Sequence, residues 1–258
     1  MLLSISNIAW DSSFDEQMYA YLNENGFSGL EIAPTRIFPQ NPYDDLTAAK
    51  KFADRLKEKY DLSIPSMQSI WYGKTQSIFG TQQDKKELID YTKKAVDFAQ
   101  AVGCKNLVFG CPKNRSIPCG KSDNEAVEFF REIGEYAVEK GTIIALEANP
   151  PIYNTNFMNT TKDAFDICKR VSSKGVMVNA DLGTVIYNKE DIKVLAGNID
   201  LVNHIHISEP HLAPIEKRSI HKELKSLNYD KYISIEMGNK NDIELVKSTI
   251  QYIREVFA

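Results

Sequence analysis

Histidine, cysteine and concentrated positive charge are all scarce in this 258-residue chain, and each scarcity removes a class of function. The 31 Lys and Arg are outnumbered by 35 Asp and Glu, giving a net charge of -4, and they form no cluster. Nucleic acid, which is met by a basic face, is therefore not expected as a partner. Four cysteines, Cys104, Cys111, Cys119 and Cys168, show neither CxxC spacing nor the density of a secreted disulfide scaffold. Reduced thiols in a cytoplasmic protein are expected. The opening MLLSISNIAWDSSFDE lacks a basic segment followed by an apolar one, so no secretory leader is expected. No apolar run approaches the length of a bilayer crossing, so no membrane partner is expected either.

What is present is an ordinary globular composition, 43% hydrophobic and 26% charged, long enough to bury a core without covalent staples. Eight short aliphatic or β-branched runs bounded by turn residues read as strands, at 2–8, 28–33, 63–70, 105–110, 142–148, 175–181, 201–207 and 231–237. Helical periodicity fills the intervals. Leu88, Thr92, Ala95, Ala99 and Val102 form one stripe, with Gly103 as its stop, and Lys140-Gly141 ends the next helix. Ser13-Phe-Asp-Glu16, Ser122-Asp-Asn-Glu125 and Asn241-Asp-Ile-Glu244 match helix-capping patterns. Longer loops are expected at about 34–43 and 71–83. Alternating strands and helices close into a barrel or spread as a doubly wound sheet. The first strand runs into Asn7-Ile-Ala-Trp10-Asp-Ser without the glycine-rich phosphate loop that open sheets often carry. The expected fold is α/β, a single (β/α)8 TIM barrel with parallel strands over 1–258.

In such a barrel the βα loops build the site, so chemistry gathers at the C-terminal ends of strands. The last four expected strands end in Glu147, Asp181, His206 and Glu236. Period-two alternation puts Glu147 with Ala145 and Asn149, Asp181 with Asn179, His206 with His204 and Ser208, and Glu236 with Ser234. Three carboxylates and an imidazole brought together away from water need protonation, salt bridges or a cation, and a divalent ion would leave the cluster near -1 by formal charge. An oxygen-rich set with one nitrogen suits Mn, Mg or Co and also holds Zn.

The sequence resembles the xylose isomerase-like TIM-barrel superfamily, and within it the sugar phosphate isomerase/epimerase branch. The resemblance runs from Ser4-Ile-Ser-Asn-Ile-Ala-Trp10 to Ser234-Ile-Glu-Met-Gly238, through GLEIAPT, FGCPKNR, LEANPP, NADLGT and HIHISEP. It implies one divalent metal ion held by Glu147, Asp181, His206 and Glu236, and a small carbohydrate substrate. It also implies an enediolate intermediate, with Glu147 and Glu236 as the proton-transfer pair. Association into a homo-oligomer is expected by analogy alone. The family's epimerases commonly carry a histidine three residues after the Asp, where this chain has Thr184. They also place an arginine beyond the His, where this chain reads Glu209-Pro-His211-Leu212. A different substrate, or dehydration of a keto-polyol, therefore stays open beside epimerisation, as does a sugar-binding barrel without catalysis. A relative that repairs DNA would need several zinc-binding histidines from early and late strands, and no histidine precedes His204.

Other residues fall on the loops of the same face. Gln68 is expected to hydrogen-bond a substrate hydroxyl and Trp71 to cover an apolar sugar face, or else to pack on the rim. Arg115, in Lys113-Asn114-Arg115, is expected to grip a phosphate or carboxylate, or to lie in a solvated turn. Asn149, Glu209 and His211 complete the expected substrate contacts. His204 is read as orienting a ligand, His221 as a surface residue, and Glu31 as a rim residue away from the metal quadrant.

Overall fold

The computed structural model describes residues 1–257, and its centre is one parallel sheet of seven strands. In chain order these are β1 (Leu2–Ser6), β2 (Gly29–Glu31), β3 (Leu107–Phe109), β4 (Ile144–Glu147), β5 (Val176–Asp181), β6 (Val202–Ser208) and β7 (Tyr232–Glu236). The spatial order is β2-β1-β7-β6-β5-β4-β3. The helices are α1 (Asp15–Glu24), α2 (Pro34–Ile37), α3 (Leu46–Tyr60), α4 (Gln82–Val102) and α5 (Asn124–Glu139). They continue with α6 (Thr161–Val171), α7 (Leu182–Asn188), α8 (Lys193–Ala196), α9 (Ser219–Lys225) and α10 (Ile243–Phe257). Neighbouring helices pack on one another in the sequence α3, α4, α5, α6.

The expectation of a closed eight-stranded barrel is corrected: the sheet is a curled, open one whose ladder ends at β2 and β3. The missing strand is the expected run 63–70. It makes only isolated bridges, Ser63 to Gly29 and Met67 to both Ile32 and Leu107. Pro65 has no N–H to donate, so this segment cannot carry an unbroken ladder. Near its end Ser69 turns into the left-handed region (φ 55°). The segment still spans the gap through single bonds, with Leu30 N donating to Ser63 O and Val108 N to Met67 O.

Gly29 is small because the gap is narrow. A Cβ there would come within 2.8 Å of the Tyr232 ring and 2.9 Å of both Pro65 and Ser4.

Helix ends follow local chemistry, although one of the three expected caps is displaced and two are absent. Asp242, not Asn241, accepts from Leu245 N, whereas no side chain caps α1 and Asp11 instead caps the short turn Ser12–Phe14 before it. No side chain caps α5. The complete capping boxes are Thr81/Asp84 and Thr160/Asp163. The α4 stripe is buried and ends at Gly103 (φ 74°) as its spacing predicts. No helix among the described residues is long and apolar enough to cross a membrane. All four cysteines are free.

Candidate metal centre

The strand ends deliver their polar groups to one point inside the curl of the sheet. Register pairs Asp181 with His206 across β5 and β6, and Ser208 with Glu236 across β6 and β7. Glu147, Asp181, His206 and Glu236 each offer a ligand atom, and these four atoms lie within 4.8 Å of one another. His206 is fully buried, while Glu147 and Glu236 are 8% and 7% exposed at the floor of a cavity of about 200 Å³.

Each member is held by its neighbours. Asp181 accepts from Thr184 N at 2.6 Å, which caps α7, and from the Ser208 hydroxyl. Thr184 Oγ1 in turn donates to Ala148 O at 2.9 Å, so this residue braces the loops beside β4 and β5. Asn179 Nδ2 donates to Glu147 Oε1 at 2.7 Å, and Asn149 Nδ2 reaches Oε2 at 3.3 Å. Gly110 leaves room for that carboxylate, since a Cβ there would stand 2.8 Å from Glu147 Oε2.

His206 is gripped from both sides. Its Nε2 lies 2.9 Å from Glu31 Oε2, and Glu31 is itself fully buried. Its Nδ1 lies 2.9 Å from Glu147 Oε1 and 3.2 Å from Glu236 Oε2. Neither of those contacts has hydrogen-bond geometry, so Nδ1 is a buried nitrogen without a hydrogen-bond partner. When the ring is neutral and Nε2–H is donated to Glu31, Nδ1 turns its lone pair toward the carboxylates of Glu147 and Glu236. This orphaned nitrogen, the Gly110 recess and the oxygen-rich donor set fit a divalent cation.

Charge shows what the arrangement requires, which is protons or a cation among the carboxylates. Burial pushes Asp181 up to about 6 and Glu236 up to about 7, with Glu147 repelling both. Burial opposes an imidazolium at His206, but Glu236 and Glu31 outweigh it and hold the ring well above its ordinary value. The same His206 charge overrides burial at Glu31 and draws its carboxyl down to about 2. Protons thus occupy the place that a divalent ion would take. His204, pushed down to about 3 by burial, is a neutral ring 2.8 Å from Ser234 Oγ and 3.5 Å from Glu31 Oε2.

The remaining expected residues divide between the cavity and its supports. Gln68, Asn149 and Glu209 line it, together with Ser69, Tyr153 and Leu212. Glu209 is held by Arg218 through bonds of 2.6 and 2.8 Å. Trp71 is packed away from the cavity, edge-on to Phe109 and Phe129, with Nε1 donating to Thr92 Oγ1 at 2.8 Å. Arg115 is fully buried behind β4, donating to Glu147 O at 2.7 Å and to Met158 O at 3.4 Å. His211 is exposed in a left-handed turn, and its backbone N donates to the Tyr153 hydroxyl at 2.8 Å.

Two placements differ from the sequence reading. Glu31 is not a rim residue: the curl of the sheet carries its side chain across the interior to His206. His221 is buried rather than superficial, its Nδ1 2.8 Å from the Tyr252 hydroxyl.

A curved parallel sheet with an acidic, single-histidine cage at its strand ends defines an α/β protein with a candidate metal site. The chain belongs to the xylose isomerase-like TIM barrel family, whose profile matches residues 19–256. Among solved structures, it resembles the 3-keto-D-glucoside 4-epimerase YcjR from E. coli (17% identity, 99% of each chain, TM-score 0.77). It also resembles D-psicose 3-epimerase from Clostridium cellulolyticum H10 (14% identity, 100% of this chain and 99% of that one, TM-score 0.79). A third is the probable 3-DHS dehydratase AsbF from Bacillus anthracis (18% identity, 98% of each chain, TM-score 0.71). At these identities the likeness is one of fold. A search of curated protein sequences finds no match.

Proposed function

We propose that this protein is a divalent-metal-dependent epimerase or isomerase of a carbohydrate, with Glu147 and Glu236 as its proton-transfer pair. The observation that carries the reading is the convergence of these two carboxylates, from β4 and β7, on His206 Nδ1 beneath a cavity both of them line. Fold likeness to two sugar epimerases supports it.

Glu147, Asp181, His206 and Glu236 would hold the ion, with Mn, Mg or Co suited to the oxygen-rich set and Zn acceptable to it. When bound, it supplies Lewis-acid polarisation of a carbonyl and its neighbouring hydroxyl, which acidifies the C–H between them. Asp181, tied at both oxygens, would serve as a fixed ligand. Glu147 and Glu236 border the cavity, so one carboxylate oxygen takes the C–H proton and the other carboxylate returns one. The Tyr153 hydroxyl lines the cavity and is a neutral hydrogen-bond donor to a sugar oxygen, its phenol pushed further up, to about 12, by burial. Gln68 and Asn149 offer amides to further hydroxyls. Among the described residues no Lys or Arg lines this cavity, which favours an uncharged reacting sugar over one carrying phosphate at that end.

The test is exchange of solvent deuterium into the C–H beside the carbonyl of a panel of ketoses and ketose phosphates, followed by NMR with Mn, Co, Mg or Zn added. Exchange by the wild type, slowed ~100-fold or more in Glu147→Gln and in Glu236→Gln, is expected. A rising ultraviolet absorbance from a conjugated carbonyl would identify dehydration instead. Sugar binding without exchange would leave a binding protein.

A further inference from the structure

The cavity above the candidate centre has a groove beside it. Ser69, which lines it, also lines a larger groove of about 500 Å³ bordered by Trp10, Asp11, Pro39, Tyr72 and Asn239. Ser69 adopts a left-handed conformation that L residues seldom take, and its carbonyl accepts from Tyr72 N at 2.9 Å. This turn sets Tyr72 at the junction. Tyr72 is 71% exposed, whereas no other large apolar side chain among the described residues exceeds 47%. The preceding Trp71 is 2% exposed and pinned to Thr92, so the bare ring stands on an anchored loop.

The groove carries little net charge, with one cation neutralised and one carboxylate held only by hydrogen bonds. Arg36, on its wall, is paired with Asp15 at 2.7 Å, and Asp11 accepts from Ser13 N at 2.9 Å. An exposed aromatic face beside neutral amide and hydroxyl groups is the chemistry that recognises a sugar ring, whose C–H face stacks while its hydroxyls hydrogen-bond. On the other side of Tyr72, a second groove holds Lys74 and Lys113 and has the chemistry for an anion.

We infer that the groove between Trp10 and Tyr72 is a second sugar subsite, and that the substrate is a glycoside whose neutral glycosyl unit extends from the reacting ketose. The inference rests on the carbohydrate reading of the neighbouring cavity, but not on turnover there. Calorimetric titration of the metal-loaded protein with D-fructose and with glucosyl-fructose disaccharides joined at different fructose hydroxyls reads binding alone. At least one disaccharide is expected to bind ~10-fold more tightly than D-fructose, the worth of one well-stacked ring. Tyr72→Ala should abolish that gain and leave D-fructose affinity unchanged, while Tyr72→Phe should retain it. A surface position of this exposure leaves folding intact. If no disaccharide binds more tightly than D-fructose, the subsite is refuted, and an equal loss for both sugars in Tyr72→Ala refutes it too. Tighter binding of a fructose phosphate, lost in Lys113→Ala, would assign the specificity to the neighbouring groove and an anionic substrate. Binding without deuterium exchange would defeat the catalytic proposal and leave the subsite standing.

Discussion

Replacing Glu31 by Gln separates the cage from its support, because Glu31 lines no part of the cavity yet touches His206 at 2.9 Å. The substitution preserves volume, so no hole opens. It removes the charge that commits Nε2–H and thereby aims the Nδ1 lone pair. It also sets an amide against Gln68 Nε2, which donates to Glu31 Oε1 at 3.3 Å and to Ser6 Oγ at 2.8 Å. One donor of the three must then go unpaired or Gln68 must turn over. Loss of such an outer partner typically weakens metal binding ~10–100-fold, about 1.4–2.8 kcal/mol. The ion-free protein should suffer more, because His206 loses a buried counter-charge, a change worth about 3–5 kcal/mol. At roughly 2–4 °C per kcal/mol for a chain of this size, the stripped variant should melt on the order of 10 °C below the wild type. Chelator-competition titration with Mn or Zn gives the affinity, and a thermal melt of stripped protein gives the stability. Wild-type affinity in Glu31→Gln would refute the view that this contact sets the His206 tautomer.

Two further outcomes follow from buried groups away from the cavity. Arg115→Met should lower stability by about 2 kcal/mol, because the Glu147 carbonyl loses its guanidinium donor while Met158 O keeps only Asn149 N, and an unchanged melting temperature would contradict that positioning role. His221 is held neutral, since burial pushes it down to about 4. A depressed folded-state value means that its contribution is complete above the ordinary histidine range near 6.5 and is lost as pH falls toward 4. Melting temperature should therefore decline across that interval, and His221→Gln should decline less. Parallel curves would refute the assignment.

Much of the site could be read in the sequence because four strand ends repeat one pattern, and register alone then brings Glu147, Asp181, His206 and Glu236 together. Glu31 escaped that reading because strand order counts neighbours along the sheet, whereas curvature lets an inward side chain from β2 meet one from β6. The eighth strand was miscounted for a local reason: the run at 63–70 has strand-like composition, but Pro65 interrupts its hydrogen bonding. Trp71 and Arg115 sit in loops on the functional face, and sequence alone does not say that one turns into an aromatic cluster and the other beneath β4. His221 looked superficial within a helical pattern because its partner, Tyr252, is 31 residues away.

The account turns on whether the cage holds an ion, and metal content of the purified protein measures that directly. About one divalent ion per chain after incubation with Mn, Co, Mg or Zn, held much more weakly by Glu236→Gln, is the predicted result. A wild-type protein that retains none of the four would contradict the metal centre and the chemistry proposed for it.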